Sequence, residues 1–403
     1  MSPPSFGQAL AWWLKLGCIS FGGPAGQVAV MHRELVERRR WIGEGRFLHA
    51  LNYCMLLPGP EAQQLATYIG WLLHGIPGGV AAGALFVLPS FGLLMALSAA
   101  YVAWGAFPAA VTVLATVKAA VVAVVIAAAW RIGRRALKAP LAQAVAAAAL
   151  SASLLGVPFP ALVAGGAVAG ALGARWMPRP GGHGAKSTGG PAVIDDAAPP
   201  PAHAAASWAR SLGILATALV IGAGTWLVLP DPLRAMAVFF TGSALLTIGG
   251  AYAVLPYVTA GAVAHGWLTA PQIMDGLALG ESTPGPLIMV VAFVGWLGAG
   301  AAGAAVATLY TFLPSFVFIL LGAPVVERTR HLPAVHAPLA GITAAVVGVI
   351  LHLGVVFGQH ALVDPLAWGV AGASLLAMVR FEVGVVPVFL AAMAVGLGRV
   401  AAG

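Results

Sequence analysis

The chain has 403 residues, 60% of them hydrophobic and only 8% charged, with a formal charge of +8 and a mean hydropathy of +0.95. Soluble domains carry roughly 25% charged residues, so a surface built from this composition cannot all face water, and lipid is the solvent for most of it. The Lys and Arg residues sit in short connectors between apolar runs without aromatic interleaving, which excludes a nucleic-acid platform and matches the tendency of positive loops to stay cytoplasmic.

In chain order, Met1 to Leu10 lacks a basic stretch and an A-x-A site, so no removed signal peptide is expected. An apolar run over 5–22 breaks at Phe21-Gly22-Gly23-Pro24, and a helix over 24–40 leads back to Arg38-Arg39-Arg40. A second run over 45–57 breaks at Pro58-Gly59-Pro60, and 61–75 returns. These broken segments read equally as re-entrant hairpins or as kinked spans. Four runs of spanning length follow, at 77–105, 108–130, 139–156 and 158–176, given that roughly 20 residues cross the hydrocarbon. Residues 177–207 are rich in Gly, Pro and Ala without apolar periodicity and read as a flexible linker. Another spanning run covers 208–229. Interrupted runs at 232–248, 251–264, 271–283 and 287–299 then precede spans at 300–323, 338–357, 361–378 and 383–400.

The second series repeats the first. Trp41 to Pro60 matches Trp267 to Pro286, both ending in Pro-Gly-Pro, and Gly22-Gly23 matches Gly249-Gly250. Tyr68-Ile69-Gly70-Trp71 matches Phe293-Val294-Gly295-Trp296, and Leu88-Pro89-Ser90-Phe91 is identical to Leu313-Pro314-Ser315-Phe316. The offset drifts only from 227 (22 to 249) to 225 (88 to 313). Four ordered matches at near-constant offset predict two homologous halves: residues 1–176, the linker 177–207, an extra helix at 208–229, and residues 230–403. The connector after Trp130 is strongly basic (RIGRRALK) and the one near Ala106 is uncharged, whereas in the second half the basic connector is at 327–331 (ERTRH). The halves therefore read as oppositely inserted, with 208–229 as the additional crossing that inversion requires. The expected fold is an all-α polytopic membrane protein with an inverted repeat and broken or re-entrant helices.

The breaks are the candidate site. A helix starting after Pro-Gly-Pro or Gly-Gly-Pro at membrane depth leaves free N–H groups at the positive end of its dipole, which suits an anion; a plain proline kink is the alternative. Gly22, Gly23, Pro24, Pro58, Gly59, Pro60, Gly249, Gly250, Pro284, Gly285 and Pro286 fall in this class. Gln63, Gln64, Ser282 and Thr283 flank the breaks, as do Asn52 and Thr67, and can hydrogen-bond an anion or freed backbone groups. Glu61, directly after the first break, is a helix-capping carboxylate or a proton acceptor; Glu281, before the second, reads as the proton acceptor of a coupled carrier. Lys118 lies mid-span and either attracts an anion or pairs with a buried carboxylate. Lys15 reads as snorkelling to the interface, and Trp12, Trp13, Trp41 and Trp267 as interface anchors. The two cysteines and the scattered histidines have no metal-ligand spacing. Without a Walker A sequence or a G-x-S-x-G context, no ATP hydrolysis, catalytic residue, metal or cofactor is expected.

The segments FGGPAGQVAVMHRELVERRRW (21–41), LLPGPEAQQLATYIGW (56–71), GGAYAVLPYV (249–258) and GESTPGPLIMVVAFVGW (280–296), with LPSF in both halves, resemble the chromate ion transporter family, in particular its long two-domain bacterial members. The resemblance runs from about residue 5 to 330. It implies chromate efflux across the bacterial inner membrane, driven by the proton motive force and conferring chromate resistance. Sulfate or another oxyanion remains an alternative cargo or a competitor, and a passive anion channel remains an alternative mechanism. The partners implied are the oxyanion and the lipid bilayer, with homo-oligomerisation left open.

Overall fold

A computed structural model describes residues 3–20, 23–55, 57–105, 107–175, 207–247, 251–328 and 336–401, together with 192–196, 198, 199, 201, 203 and 205. The regular elements are helical: α1 (Phe6–Ile19), α2 (Gly23–Met31, continued by a π-helical turn to Arg38), α3 (Glu44–Cys54), α4 (Glu61–Trp104), α5 (Pro108–Ala136), α6 (Pro140–Leu154), α7 (Phe159–Leu172), α8 (Trp208–Val228), α9 (Asp231–Leu246), α10 (Ala251–Ala264), α11 (Ala270–Ser282), α12 (Val290–Arg328, preceded by a 3₁₀ turn at Leu287–Met289), α13 (His336–Ala361), α14 (Pro365–Arg380) and α15 (Val385–Ala401). Local chemistry sets several starts. Capping boxes open α1 (Ser5 with Gln8) and α11 (Thr269 with Gln272), and Pro108, Pro140 and Pro365 sit in first turns, where a missing N–H costs nothing.

α4 and α12 are hairpins rather than rods. At His74 and Gly75 the backbone turns through φ/ψ −139/23 and 64/−156; at Ala299 and Gly300 it repeats this with −155/31 and 63/−154. The glycine values lie in a region that side chains essentially exclude. Beyond each turn the arms press together. A Cβ on Gly70 would lie 2.4 Å from the Gly78 carbonyl oxygen, and one on Gly295 would lie 2.3 Å from that of Gly303. Residues eight apart meet only if the chain doubles back, so the short arms 61–73 and 290–298 return along the long arms 76–104 and 301–328. Small residues permit this approach of backbones, as membrane helix contacts require.

α5 packs on α13, and each also packs on the last two helices of the opposite series: α13 on α6 and α7, α5 on α14 and α15. Glycines let these surfaces close: Gly341 lies against the Gly166 carbonyl and Gly348 against that of Ala146. α6, α7, α14 and α15 have only 14 to 17 residues, about 21–26 Å at 1.5 Å each, shorter than the expected spans at 139–156, 158–176, 361–378 and 383–400. Among the described residues, five segments (within α4, α5, α8, the α12 region and α13) are long and apolar enough to cross a membrane. α8 has no buried residue and is held through Thr225, whose hydroxyl meets that of Tyr310 at 2.7 Å.

Contacts sort the helix ends onto two faces. His74 bonds the Pro4 carbonyl (3.0 Å), placing the α4 turn beside the start of α1. Arg39 stacks over Trp12 and Trp41 on the same face. Trp12 and Trp13 are 2% and 1% exposed; Trp12 lies under that arginine, and both are buried within the protein, where interface anchors were expected. Part of the stretch expected as a flexible linker is docked on this face. Val193 donates to Arg40 (2.9 Å), Gly43 donates to Ile194 (2.9 Å), and the Asp196 carboxylate accepts from the amides of Gly45 (3.0 Å) and Arg46 (2.7 Å) at the start of α3. His203 reaches the Trp71 carbonyl (2.8 Å).

On the other face Asp364 caps α14, accepting from Ala367 N–H (2.7 Å), and pairs with Arg399 of α15 (2.7 Å). The Ala367 N–H and then the Arg399 guanidinium hold its carboxyl below the usual carboxylate range. A depressed folded value stabilises above the unfolded value and is lost as pH falls through the folded one. Wild type is therefore expected to lose part of its α14–α15 stability on acidification below roughly pH 4. Asp364→Asn removes that component of the profile, as melting curves across pH would register.

Candidate functional site

The site is where four helices stop. α1 ends at Ser20 (φ −82, ψ 79) and α9 at Thr247 (φ −76, ψ 76), nearly the same conformation. α3 and α11 run into the two Pro-Gly-Pro segments, whose glycines adopt φ +124 (Gly59) and +106 (Gly285). The four breaks interlock reciprocally. Gly59 N–H donates to the Thr247 carbonyl (2.8 Å), and Gly285 N–H donates to the Ser20 carbonyl (2.8 Å). The serine of each LPSF stretch abuts the opposite glycine: a Cβ on Gly59 would meet Ser315 Oγ at 2.9 Å, and one on Gly285 would meet Ser90 Cβ at 2.4 Å. Each Pro-Gly-Pro is thus held by the other series, and mutual exchange of equivalent contacts is the mark of an isologous, two-fold arrangement.

Around this junction the polar lining is unequal. Gln27 Nε2 donates to the Gly285 carbonyl (2.5 Å), and Gln64 Nε2 donates to the Pro58 carbonyl (2.7 Å). Ser315 donates to Gln63 Oε1 (2.8 Å), and Gln63 donates on to Thr67 (3.0 Å). Ile288, Met289 and Ala292 stand at the positions matching Gln63, Gln64 and Thr67. Ser20, Gln63, Gln64, Thr67, Ser90 and Ser243 are 0% exposed, yet Ser20 Oγ, Gln27 Oε1, Gln64 Oε1, Ser90 Oγ and Ser243 Oγ make no hydrogen bond. Buried polar atoms are nearly always paired, and each orphan costs about 1–3 kcal/mol. Five such atoms gather near this junction, which makes it the candidate site. Glu61 opens the short arm of α4, and Pro60 and Pro286 provide no side-chain cap for the helical turns that follow them. The first N–H groups of those turns have no acceptor inside their own helix.

Three Tyr–carboxylate clusters, each with a cation, flank the junction. Glu281, 6% exposed, accepts from the Tyr252 hydroxyl, with Arg131 acting electrostatically on both. Asp275 accepts from Tyr101 (2.8 Å) and pairs with Lys118 (3.1 Å). Glu327 accepts from Tyr68 and lies 3.8 Å from Arg46. Lys118 therefore forms the carboxylate pair that was the rival to anion binding. Thr283 turns its hydroxyl back to the Gly280 carbonyl (2.8 Å). Gly22, Gly249 and Gly250 lie outside the described residues, and for Gly23, Pro24, Asn52 and Ser282 only the backbone is described. Ser20, Gln27, Ser90, Ser243, Thr247 and Ser315 were not among the residues expected to line the site. The identical LPSF stretches and the equivalent positions of Ser20 and Thr247 carried the available signal.

Among the described residues no group of three His, Cys, Asp or Glu side chains could hold a metal, and Ser315 donates to an amide rather than to a base. The arrangement offers hydrogen bonds and helix termini, which bind without transforming. The chromate transporter family profile matches residues 7–171 and, a second time, 234–397. The chain belongs to the chromate transporter family. Curated relatives in this transporter family agree. A chromate transport protein of Pseudomonas aeruginosa is 36% identical over 351 residues, 86% of this chain and 80% of that protein. One from Cupriavidus metallidurans is 32% identical over 362 residues, 89% and 84% of the two chains. A probable chromate transport protein of Synechococcus elongatus is 29% identical over 367 residues, 89% and 86%. No solved structure matches the chain.

Proposed function

We propose that this multi-pass protein is a secondary carrier that exports chromate across the bacterial inner membrane, driven by the proton motive force, and so confers chromate resistance. The observation that carries the reading is the reciprocal locking of four helix breaks around buried, unpaired polar atoms. A tetrahedral dianion there would take hydrogen bonds from the unpaired Ser20, Ser90 and Ser243 hydroxyls and from the helix N-termini after Pro60 and Pro286.

The chain path supports an inverted repeat. From the face bearing Arg38–Arg40, α1 and α3 enter to mid-depth, and α2 and the short arm of α4 return to it. The long arm of α4, α5, α6 and α7 then make four crossings. α8 makes the fifth, so α9 starts from the opposite face and the series repeats upside down. Arg134, Arg175 and Arg380 fall on the Arg38–Arg40 face, which makes that face cytoplasmic. Glu61 and Glu281 are the candidate proton carriers. Sulfate, a dianion of the same shape, competes for the site.

Radiolabelled chromate flux into inverted vesicles tests the reading. Saturable uptake that an uncoupler abolishes and excess sulfate reduces is expected. Uptake that is linear in concentration and indifferent to the gradient would replace the carrier by a passive anion channel.

A further inference from the structure

Among the described residues the polar junction is closed to both faces: Ser20, Gln63, Gln64, Thr67, Ser90 and Ser243 are 0% exposed. A carrier must open one face at a time, so something must hold each face shut and release it. Two of the three buried charge clusters stand where such a device belongs. Arg46 lies near the outer end of α3, whose inner end is the first Pro-Gly-Pro. Glu327 closes the long arm of α12, and Tyr68 comes from the short arm of α4. This cluster lies on the Arg38–Arg40 face, under the docked linker: Arg46 also donates to the Ala198 carbonyl (2.6 Å). Asp275 lies in the outer half of α11, whose inner end is the second Pro-Gly-Pro. Tyr101 lies near the end of the long arm of α4, and Lys118 comes from α5. That end of α4 is reached only after crossing from the Gly75 turn, so this cluster lies on the opposite face.

The two are images of each other. Each ties the outer part of a re-entrant helix to the far end of the other series' hairpin. The match extends to single residues: His49 bonds the Val326 carbonyl (2.9 Å) where Asp275 accepts from Tyr101 (2.8 Å), and 49 and 101 become 275 and 326 at the repeat offset. Both carboxylates are nearly inaccessible, with side chains 1% (Glu327) and 3% (Asp275) exposed. Their partners are 0% (Arg46) and 21% (Lys118) exposed, and neutralising one member of such a pair leaves the other uncompensated, most severely at the fully buried Arg46–Glu327 pair.

We propose that Arg46–Glu327 with Tyr68, and Lys118–Asp275 with Tyr101, are the two gates of the carrier, one for each face. This rests on the transport reading above. Opening the Arg38–Arg40 face separates α3 from the end of α12, and opening the other separates α11 from the end of α4. The gates alternate because α4 takes part in both: Tyr68 of its short arm belongs to the gate on the Arg38–Arg40 face and Tyr101 of its long arm to the other.

The test uses full-length protein with Cys18→Ser and Cys54→Ala, carrying Ser90→Cys at the junction. A membrane-impermeant maleimide is applied to one face in intact cells and to the other in inverted vesicles. Glu327→Gln is expected to raise the labelling rate from the Arg38–Arg40 face about tenfold, within the roughly 5- to 150-fold range of coupled two-state elements, with no change from the other face. Asp275→Asn is expected to do the reverse. Tyr68→Phe and Tyr101→Phe keep both ion pairs and guard against misassembly; they should give smaller increases with the same sidedness. Equal increases from both faces, or no increase in any of the four variants, would overturn the gates. Labelling needs no cargo. Sided labelling without chromate flux would keep the gates and remove the cargo, whereas flux without sided labelling would remove the gates alone.

Discussion

Gly285→Ala is expected to lower chromate flux about thirtyfold or more, with the protein still inserted. The backbone at Gly285 has φ +106, and forcing a side chain into such a region costs on the order of 1–3 kcal/mol. The new Cβ would also stand 2.4 Å from Ser90 Cβ, so either the Pro-Gly-Pro segment or the LPSF helix must move. Movement of the segment breaks the hydrogen bond from Gly285 to Ser20, worth about 1 kcal/mol net. Strain and lost bond together come to about 2–4 kcal/mol, and each 1.4 kcal/mol is a tenfold effect. Gly59→Ala meets the Gln64 amide at 2.6 Å and Ser315 Oγ at 2.9 Å. Those are ends of mobile side chains, so a smaller loss is expected. Two controls separate geometry from generic damage. Gly213→Ala and Gly398→Ala meet nothing within 4 Å and should transport like wild type. Gly285→Ala combined with Ser90→Gly removes the overlap but not the backbone strain, and should recover part of the flux. If Gly285→Ala alone transports normally, the interlocked breaks are not the cargo path.

The elements that the sequence made legible are those that both halves need in the same form. Pro-Gly-Pro and Leu-Pro-Ser-Phe survive as identical letters because each copy must make the same break and the same close approach. The hairpin turns were legible only as boundaries between runs. Gly75 and Gly300 adopt the same conformation, yet their neighbours (HGIPGG at 74–79 and AGAAGA at 299–304) share little beyond glycine. Ser20 and Thr247 escaped because the two positions carry different hydroxyl residues and contribute a backbone carbonyl, to which sequence is blind. The charge clusters escaped for a different reason: Lys118 meets Asp275, and Tyr68 meets Glu327, across the two series, and nothing in the local pattern of either partner names the other. The docking of Ile194 and Asp196 was hidden by the Gly-, Pro- and Ala-rich composition around them. The candidate carboxylates Glu61 and Glu281 were found because charge is rare in these runs; their surroundings were not. Glu281 ↔ Met55 and Glu61 ↔ Leu287 are the repeat equivalents, so the two carboxylates break the symmetry rather than repeat it.

That asymmetry makes Glu281→Gln the most informative single substitution for coupling. Glu281 ends α11 beside the second Pro-Gly-Pro, buried under Tyr252 and within the field of Arg131. Separation of α10 or α5 from α11 would remove either partner and change the proton affinity of the carboxylate, which is how a conformational cycle is linked to a proton gradient. A gradient of one pH unit supplies about 1.4 kcal/mol per coupled proton, a tenfold accumulation of cargo. Wild-type vesicles are therefore expected to accumulate labelled chromate about tenfold per pH unit for each proton coupled. Glu281→Gln should reduce that dependence to nothing. It should still exchange labelled for unlabelled chromate across the membrane, because exchange needs the site and the gates but no net proton movement. Glu61→Gln, measured beside it, separates a capping carboxylate from a second proton carrier: a capping role leaves the gradient dependence intact, and a carrier role abolishes it. Tyr252→Phe removes the hydroxyl that Glu281 accepts from and should shift the pH at which driven uptake is half-maximal while retaining the dependence. Gradient-driven accumulation that survives Glu281→Gln unchanged would make the Tyr252–Glu281–Arg131 cluster a structural tie between α10, α11 and α5, and would move proton coupling elsewhere in the chain.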